Sequence, residues 1–306
     1  MVETRTAGDE CGFIVSRAYN VVDAFSARPL LGNPVAVVLD ADGLDDATMQ
    51  AIARWTSLSE TTFLLPPTTA QADYRLRIFT RASELPFAGH PTIGSAHAAL
   101  EAQRVTPRDG RLVQECGVGL VEIAVEGDGP GRRLTFRLPH ATVTPLSAAD
   151  VVELEAVLGH AVERHVAPAI VNVGPVWVVA KLPTVEALLA LNPDFPRSAA
   201  FERRLGVTGL SVFAKRAAGG AELEVRSFVP SSGVNEDPVC GSGNGSVAVF
   251  QYVRGLLPPT GARYEATQGR CVGRNGRIAV AVDANGTVHI GGACVTCVDG
   301  ALEGVP

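Results

Sequence analysis

Two copies of one short pattern carry the residues best placed for chemistry. Glu84-Leu85-Pro86-Phe87-Ala88-Gly89 reads E-x-P-x-x-G, and Glu236-Asp237-Pro238-Val239-Cys240-Gly241 repeats it 152 positions later in a chain of 306 residues. His90 follows the first copy and Ser242 the second, while Ser59-Glu60 lie upstream. Carboxylates, an imidazole, a hydroxyl and a thiol can take up and return protons, so acid–base chemistry on a small molecule suits this set. Each copy follows a strand-like segment and precedes a run of small residues that reads as a helix. Free backbone N–H groups at such a helix start attract anions. Two sites at half-length spacing imply an internal duplication: two similar lobes whose segments 84–94 and 236–246 face one cleft.

Each residue also has a plainer reading. Glu60 opens an apolar segment, and most glutamates at such boundaries are solvated surface groups. In an apolar cleft, the same carboxyl would have a raised pKa and could both give and take a proton. A lone histidine is most often a structural hydrogen-bonding group. His90 stands at a helix start beside Pro91, where imidazole and backbone donors would aim at one point. Asp237 before Pro238 could be a turn residue.

The elements that must position these residues alternate between short strands and short helices. Val15 to Val22 alternates as a strand, Leu31-Gly32-Asn33-Pro34 turns, and Val35 to Leu39 is apolar. Asp45-Asp46 can cap a helix with apolar positions Met49, Ile52, Ala53 and Trp55. Further strands are expected at 61–65, 74–79, 112–116, 119–125 and 132–138, around a helix at 91–104. Pro139 to Pro145 reads as a linker, which divides the chain into lobes 1–140 and 141–306, and the last strand is expected to cross back to the first lobe. Ser147 to Asp150 fits a capping box. Strands near 169–180, 208–214 and 222–229, a short helix at 184–191, a helix at 243–256 and strands at 263–267, 277–283 and 287–297 complete the second half. The central helix of each half is small and apolar, which suits burial inside a curved sheet.

Composition narrows the function classes. Hydrophobic residues make up 46%, and 32 glycines and 20 prolines are spread between apolar runs, as in a globular chain rich in turns. The net charge is -6 with no basic cluster, so nucleic acid is not an expected partner. There is no signal-like N-terminus and no apolar run long enough to span a bilayer, which points to a cytoplasmic chain without membrane partners, its six cysteines mostly reduced. Gly241 to Ser246 lacks both the P-loop lysine and Rossmann spacing. Cys294 and Cys297 would point to opposite faces of a strand. His97, His140, His160, His165 and His289 have no ligand spacing, so neither a metal nor an organic cofactor is expected.

Several segments together resemble the phenazine-biosynthesis PhzF-like isomerases. These are Gly32 to Val37, Leu58 to Phe63, Glu84 through Gly94, Glu236-Asp237-Pro238 with Gly241-Ser242, and Gln268-Gly269 with Gly273-Arg274, in family order from about residue 17 to 302. The resemblance implies the diaminopimelate-epimerase-like fold, an α+β architecture of two pseudo-symmetric lobes, each a curled mixed β-sheet around a central α-helix. It implies a cofactor-independent isomerase that moves a proton and a double bond in a small, cyclic, amino-acid-like carboxylate of secondary metabolism. It places Glu60 on the family's catalytic glutamate, His90, Asp237 and Ser242 at the substrate, and Ser59, Gly89 and Gly241 among the substrate-binding residues. A homodimer is implied by the resemblance alone. Cys240 resembles the second cysteine of the amino-acid epimerases of this fold, but the matching place in the first lobe, Ala88 or Gly89, has no thiol. A racemase using Cys240 and a non-catalytic binding protein remain the alternatives.

Overall fold

A helix that is apolar on every face belongs inside a protein rather than on its surface. The computed structural model describes residues 16–139, 141–216 and 223–305; the N-terminal acidic stretch, Cys11, Val15 and His140 lie outside them. Its helices are α1 (Asp46–Thr56), α2 (Gly89–Glu101), α3 (Ala148–Leu158), α4 (Val185–Leu189), α5 (Phe195–Leu205) and α6 (Gly241–Val253). In α2 every residue from His90 to Leu100 is buried, and α6 is buried from Gly243 to Gln251. The two helices start 152 positions apart and have 13 residues each. Small residues make their burial possible: Gly94 lies so close to Val35, and Gly245 to Leu138, that a Cβ at either would collide.

All described strands join one hydrogen-bonded sheet. Ser16–Ala24 pairs with Asn33–Val38, and the pairing continues through Glu60–Leu65, Tyr74–Thr80, Arg111–Cys116, Gly119–Glu126 and Arg133–Arg137. The last strand, Val288–Glu303, pairs with Arg133–Arg137 through its first half and with Ser16–Ala24 through its second. The sheet therefore closes into a ring, and α2 fills it. On its other side the last strand pairs with Gly276–Asp283. From there Gly261–Gln268, Leu223–Val229, Gly209–Lys215, Val176–Lys181, Ala169–Asn172 and Thr142–Pro145 curl around α6. This is the expected α+β class: two curled mixed sheets, each around a central helix.

Two expectations need correction, and one helix was not anticipated. Trp55 does not join the apolar face of α1; it is 73% exposed, while Met49, Ile52 and Ala53 are buried. The stretch read as a linker holds a strand, Thr142–Pro145, whose β-branched residues pair with Ala169–Asn172. Helix α5 went unread because its apolar residues are sparse. Its ends were nevertheless marked, by Asp194 accepting from the Arg197 N–H, Pro196 in the first turn and Gly206 in the left-handed conformation after it.

The glutamate that opens each repeat is structural. Glu84 takes two hydrogen bonds from Arg77, at 2.8 and 2.6 Å, on the preceding strand. Glu236 takes two from Arg226, at 3.0 and 2.7 Å. Each arginine also lies over a phenylalanine two residues on, Arg77 over Phe79 at 5.0 Å and Arg226 over Phe228 at 4.8 Å. A planar guanidinium satisfies a carboxylate through two parallel bonds, so each fork pins its turn to a strand. The second fork is buried, and Arg226 also donates to the carbonyls of Leu188 and Leu191. In the first, Glu84 is 41% exposed. Removing one partner of a buried pair costs about 3–5 kcal/mol, whereas an exposed pair contributes about 0–1 kcal/mol. Urea unfolding should therefore show Glu236→Gln to be strongly destabilising and Glu84→Gln nearly neutral; equal losses would contradict this account.

Candidate active site

The helix starts of α2 and α6 meet. A Cβ built on Gly89 would lie 3.8 Å from the Cα of Gly241, and one on Gly241 would lie 3.8 Å from the Cα of Gly89. Each would also press on an aromatic ring at 3.1 Å, Phe136 at Gly89 and Phe25 at Gly241. Phe25 is buried and holds a left-handed φ of 62°, a conformation that costs a non-glycine residue energy unless its surroundings impose it. Two helix N-termini thus point free N–H groups and partial positive charge into one small region.

The polar side chains converge there. Glu60, the first residue of its strand, brings Oε2 to 3.1 Å from His90 Nε2. Both atoms are buried, and neither makes a hydrogen bond. On the other side of the ring, His90 Nδ1 is 3.4 Å from Asn33 Nδ2. The same amide nitrogen donates to Asp237 Oδ1 at 3.1 Å and to the Val239 carbonyl at 2.9 Å. Asp237 Oδ1 also accepts from the Val239 N–H at 3.0 Å. Burial pushes the Asp237 carboxyl up to about 6; the Glu60 charge adds to the rise, while His90 and the Val239 N–H oppose it.

Cys240 caps α6. Its sulfur accepts from the Gly243 N–H at 3.3 Å and lies 3.6 Å from Ser242 Oγ, which in turn accepts from Trp177 Nε1 at 3.2 Å. Burial, reinforced by the Asp237 carboxylate, pushes the thiol well above its ordinary pKa. Gln268 ties this corner together: Oε1 accepts from the Cys240 N–H and from Asn244, and Nε2 donates to the Asp237 carbonyl.

Of the residues singled out in the sequence, Glu60, His90, Gly89, Gly241, Asp237, Cys240 and Ser242 come together. Ser59 is half-buried beside Glu60, and among the described residues no hydrogen bond links it to this network. Glu236 is held in its fork behind the turn. Sequence reading missed the roles of Asn33, Gln268 and Trp177. Asn33 had a visible signal, an asparagine at a Gly-Asn-Pro turn that opens a strand, but its partners lie far away along the chain. His97 is buried in α2, where loss of solvation lowers its pKa to about 4.

A thiol that is buried, engaged as a cap and short of thiolate should react slowly. Brief alkylation of the native protein at pH 8, followed by peptide mass spectrometry, should label the exposed Cys271 well before Cys240. Faster labelling of Cys240 would contradict the geometry.

Comparison with known proteins adds to this picture. The sequence model of the phenazine biosynthesis-like proteins matches residues 22–300. The chain is 38% identical over 295 residues to antisense-enhancing sequence 1 of Schizosaccharomyces pombe, covering 94% of this chain and 99% of that protein. It is 38% identical over 269 residues to the trans-2,3-dihydro-3-hydroxyanthranilate isomerase of Pseudomonas aeruginosa, covering 88% and 91%. A PhzF-family phenazine biosynthesis protein of Bacillus anthracis superposes with a TM-score of 0.84 at 22% identity, over 94% of this chain and 99% of that one, a likeness of fold.

Proposed function

The chain belongs to the phenazine-biosynthesis-like (PhzF) family of isomerases, and from that premise we propose that it moves a proton and a double bond within a small, cyclic, amino-acid-like carboxylate of secondary metabolism, with Glu60 as the acid/base. The supporting observation is the approach of Glu60 Oε2 to His90 Nε2 at 3.1 Å, both buried and both without a hydrogen bond. Buried polar atoms are nearly always paired, and a catalytic role is one physical reason for an exception. A carboxylate at this point takes a proton from one carbon of the substrate. The C–H electrons form a new double bond to the neighbouring carbon, the π electrons of the existing alkene are displaced to its far carbon, and there they take the proton back from Glu60 on the same face. One acid on one face is enough for this, and no metal or organic cofactor is invoked.

The other residues hold the substrate. The N–H groups at Gly89 and Gly241, with Ser242 and Ser59, take its carboxylate, and His90 donates beside Glu60. Asp237, as a carboxylate, accepts from the substrate's amino or hydroxyl group. The reading includes a lobe division at 140/141, a cytoplasmic location, and a homodimer, the last on family resemblance alone. No helix among the described residues is long and apolar enough to cross a membrane.

The racemase reading fares less well. It needs a thiol on each side of the substrate carbon, and Ala88 occupies the place in the first repeat that Cys240 holds in the second. The raised thiol pKa also disfavours Cys240 as a base.

The deciding experiment follows trans-2,3-dihydro-3-hydroxyanthranilate and related cyclic amino acids by NMR in deuterated water. Glu60→Gln should lower turnover by roughly two or more orders of magnitude with binding retained, and Cys240→Ser should cost little activity. The opposite ranking would sink the isomerase mechanism. The pH profile offers a second check. With the Asp237 carboxyl raised to about 6, the required carboxylate forms as pH rises, so kcat/KM should climb through about pH 6. Asp237→Asn should remove that limb along with most of the activity; an unchanged limb in this variant would assign it to another group.

A further inference from the structure

Asn33 is the least expected member of the site. It is the first residue of its strand, it is 1% exposed, and its side-chain nitrogen donates to Asp237 and to the Val239 carbonyl while facing His90 Nδ1, partners contributed by both halves of the chain. Its orientation is not interchangeable. Rotated by half a turn, Oδ1 would face the Val239 carbonyl and the Asp237 carboxylate, setting acceptor against acceptor. The nitrogen therefore points to this side. An amide NH2 donates and has no free lone pair to offer, so an imidazole nitrogen facing it must present a lone pair rather than an N–H. His90 Nδ1 is that nitrogen, at 3.4 Å. In the neutral ring the proton is then on Nε2, the atom 3.1 Å from Glu60 Oε2. A proton on Nδ1 would face a nitrogen that has no lone pair to accept it.

We propose that Asn33 is a positioning residue that holds His90 as the Nε2–H tautomer, so that the donor face of the imidazole is turned toward Glu60. The charged groups facing the ring are Glu60, from the strand Glu60–Leu65, and Asp237, from the strand Val234–Asp237, with the Cys240 thiol beyond Asp237. By donating to Asp237 with the same nitrogen, Asn33 also couples the orientations of the two residues. The consequence for catalysis rests on the isomerase reading above: the imidazole turns an N–H, not a lone pair, toward Glu60.

The test reads the ring directly and needs no substrate. In the full 15N-labelled chain, long-range proton–nitrogen spectra at pH 7 give the protonation state of each histidine nitrogen, and His90→Gln identifies the His90 signals. The wild type should show a protonated Nε2 and an unprotonated Nδ1. Asn33→Asp puts an acceptor opposite Nδ1, so Nδ1 should become protonated and the His90 titration should rise by about one pH unit or more. Asn33→Ala removes the opposing donor and should also raise the midpoint. A wild-type ring protonated at Nδ1, or an Asn33→Asp protein whose His90 titrates as in the wild type, would overturn the proposal. The wild-type spectrum decides the tautomer by itself, so a variant that folds poorly does not remove the test. If Glu60→Gln kept full activity, the isomerase reading would fail while the tautomer assignment stood.

Discussion

Two helix N-termini brought within contact distance repel each other. Each carries roughly half a positive charge from its aligned peptide dipoles, and α2 and α6 set these ends side by side at Gly89 and Gly241. The surroundings must hold them together and supply negative charge nearby. Phe136 and Phe25 do the first, each ring packed against one of the glycines, so that a side chain at either glycine would press on its ring. Glu60 and Asp237 do the second. The remaining field suits an anion, which is why the same arrangement that costs stability can bind a carboxylate.

The two halves solve the local problem in the same way and differ where chemistry enters. Both turns are tied to a strand by an arginine fork stacked on a phenylalanine. Beyond the fork the symmetry lapses. Leu85 follows Glu84, but Asp237 follows Glu236; Ala88 caps one helix without a side-chain bond, and Cys240 caps the other with its sulfur. Asn33 then links the halves through a single nitrogen, and Gln268 fixes the backbone around Asp237 and Cys240. The duplicated scaffold provides position, and the unmatched residues provide the acid–base set.

Much of this was legible in the sequence because it is local. The E-x-P-x-x-G pattern located the starts of both central helices, the small-residue runs identified them as buried, and alternation located most strands to within a few residues. Ser147 capping α3 could be read from Ser147 and Asp150 alone. What escaped depends on distant partners. Asn33 gains its meaning from His90, Asp237 and Val239, which lie 57, 204 and 206 positions away. Glu84 and Glu236 drew attention as part of a chemical motif, yet their partners are arginines on the preceding strands. Trp55 kept helical spacing with buried neighbours but falls where α1 turns outward, and periodicity alone cannot locate the edge of a buried face.

The last strand has a consequence for how the chain comes to be folded at all. It closes the ring around α2, yet it comes last among the described elements; Ser16 bonds Glu303 across 287 positions. During translation the first half can form its hairpins and collapse around α2, but the seam beside Ser16–Ala24 stays open until the C-terminal residues leave the ribosome. Pairings of such long sequence separation form slowly. Loss of residues 294–303 would leave the Ser16–Ala24 edge unpaired, with the aggregation hazard that an open edge carries. The active centre is thus a late product of folding, completed by residues that never touch it.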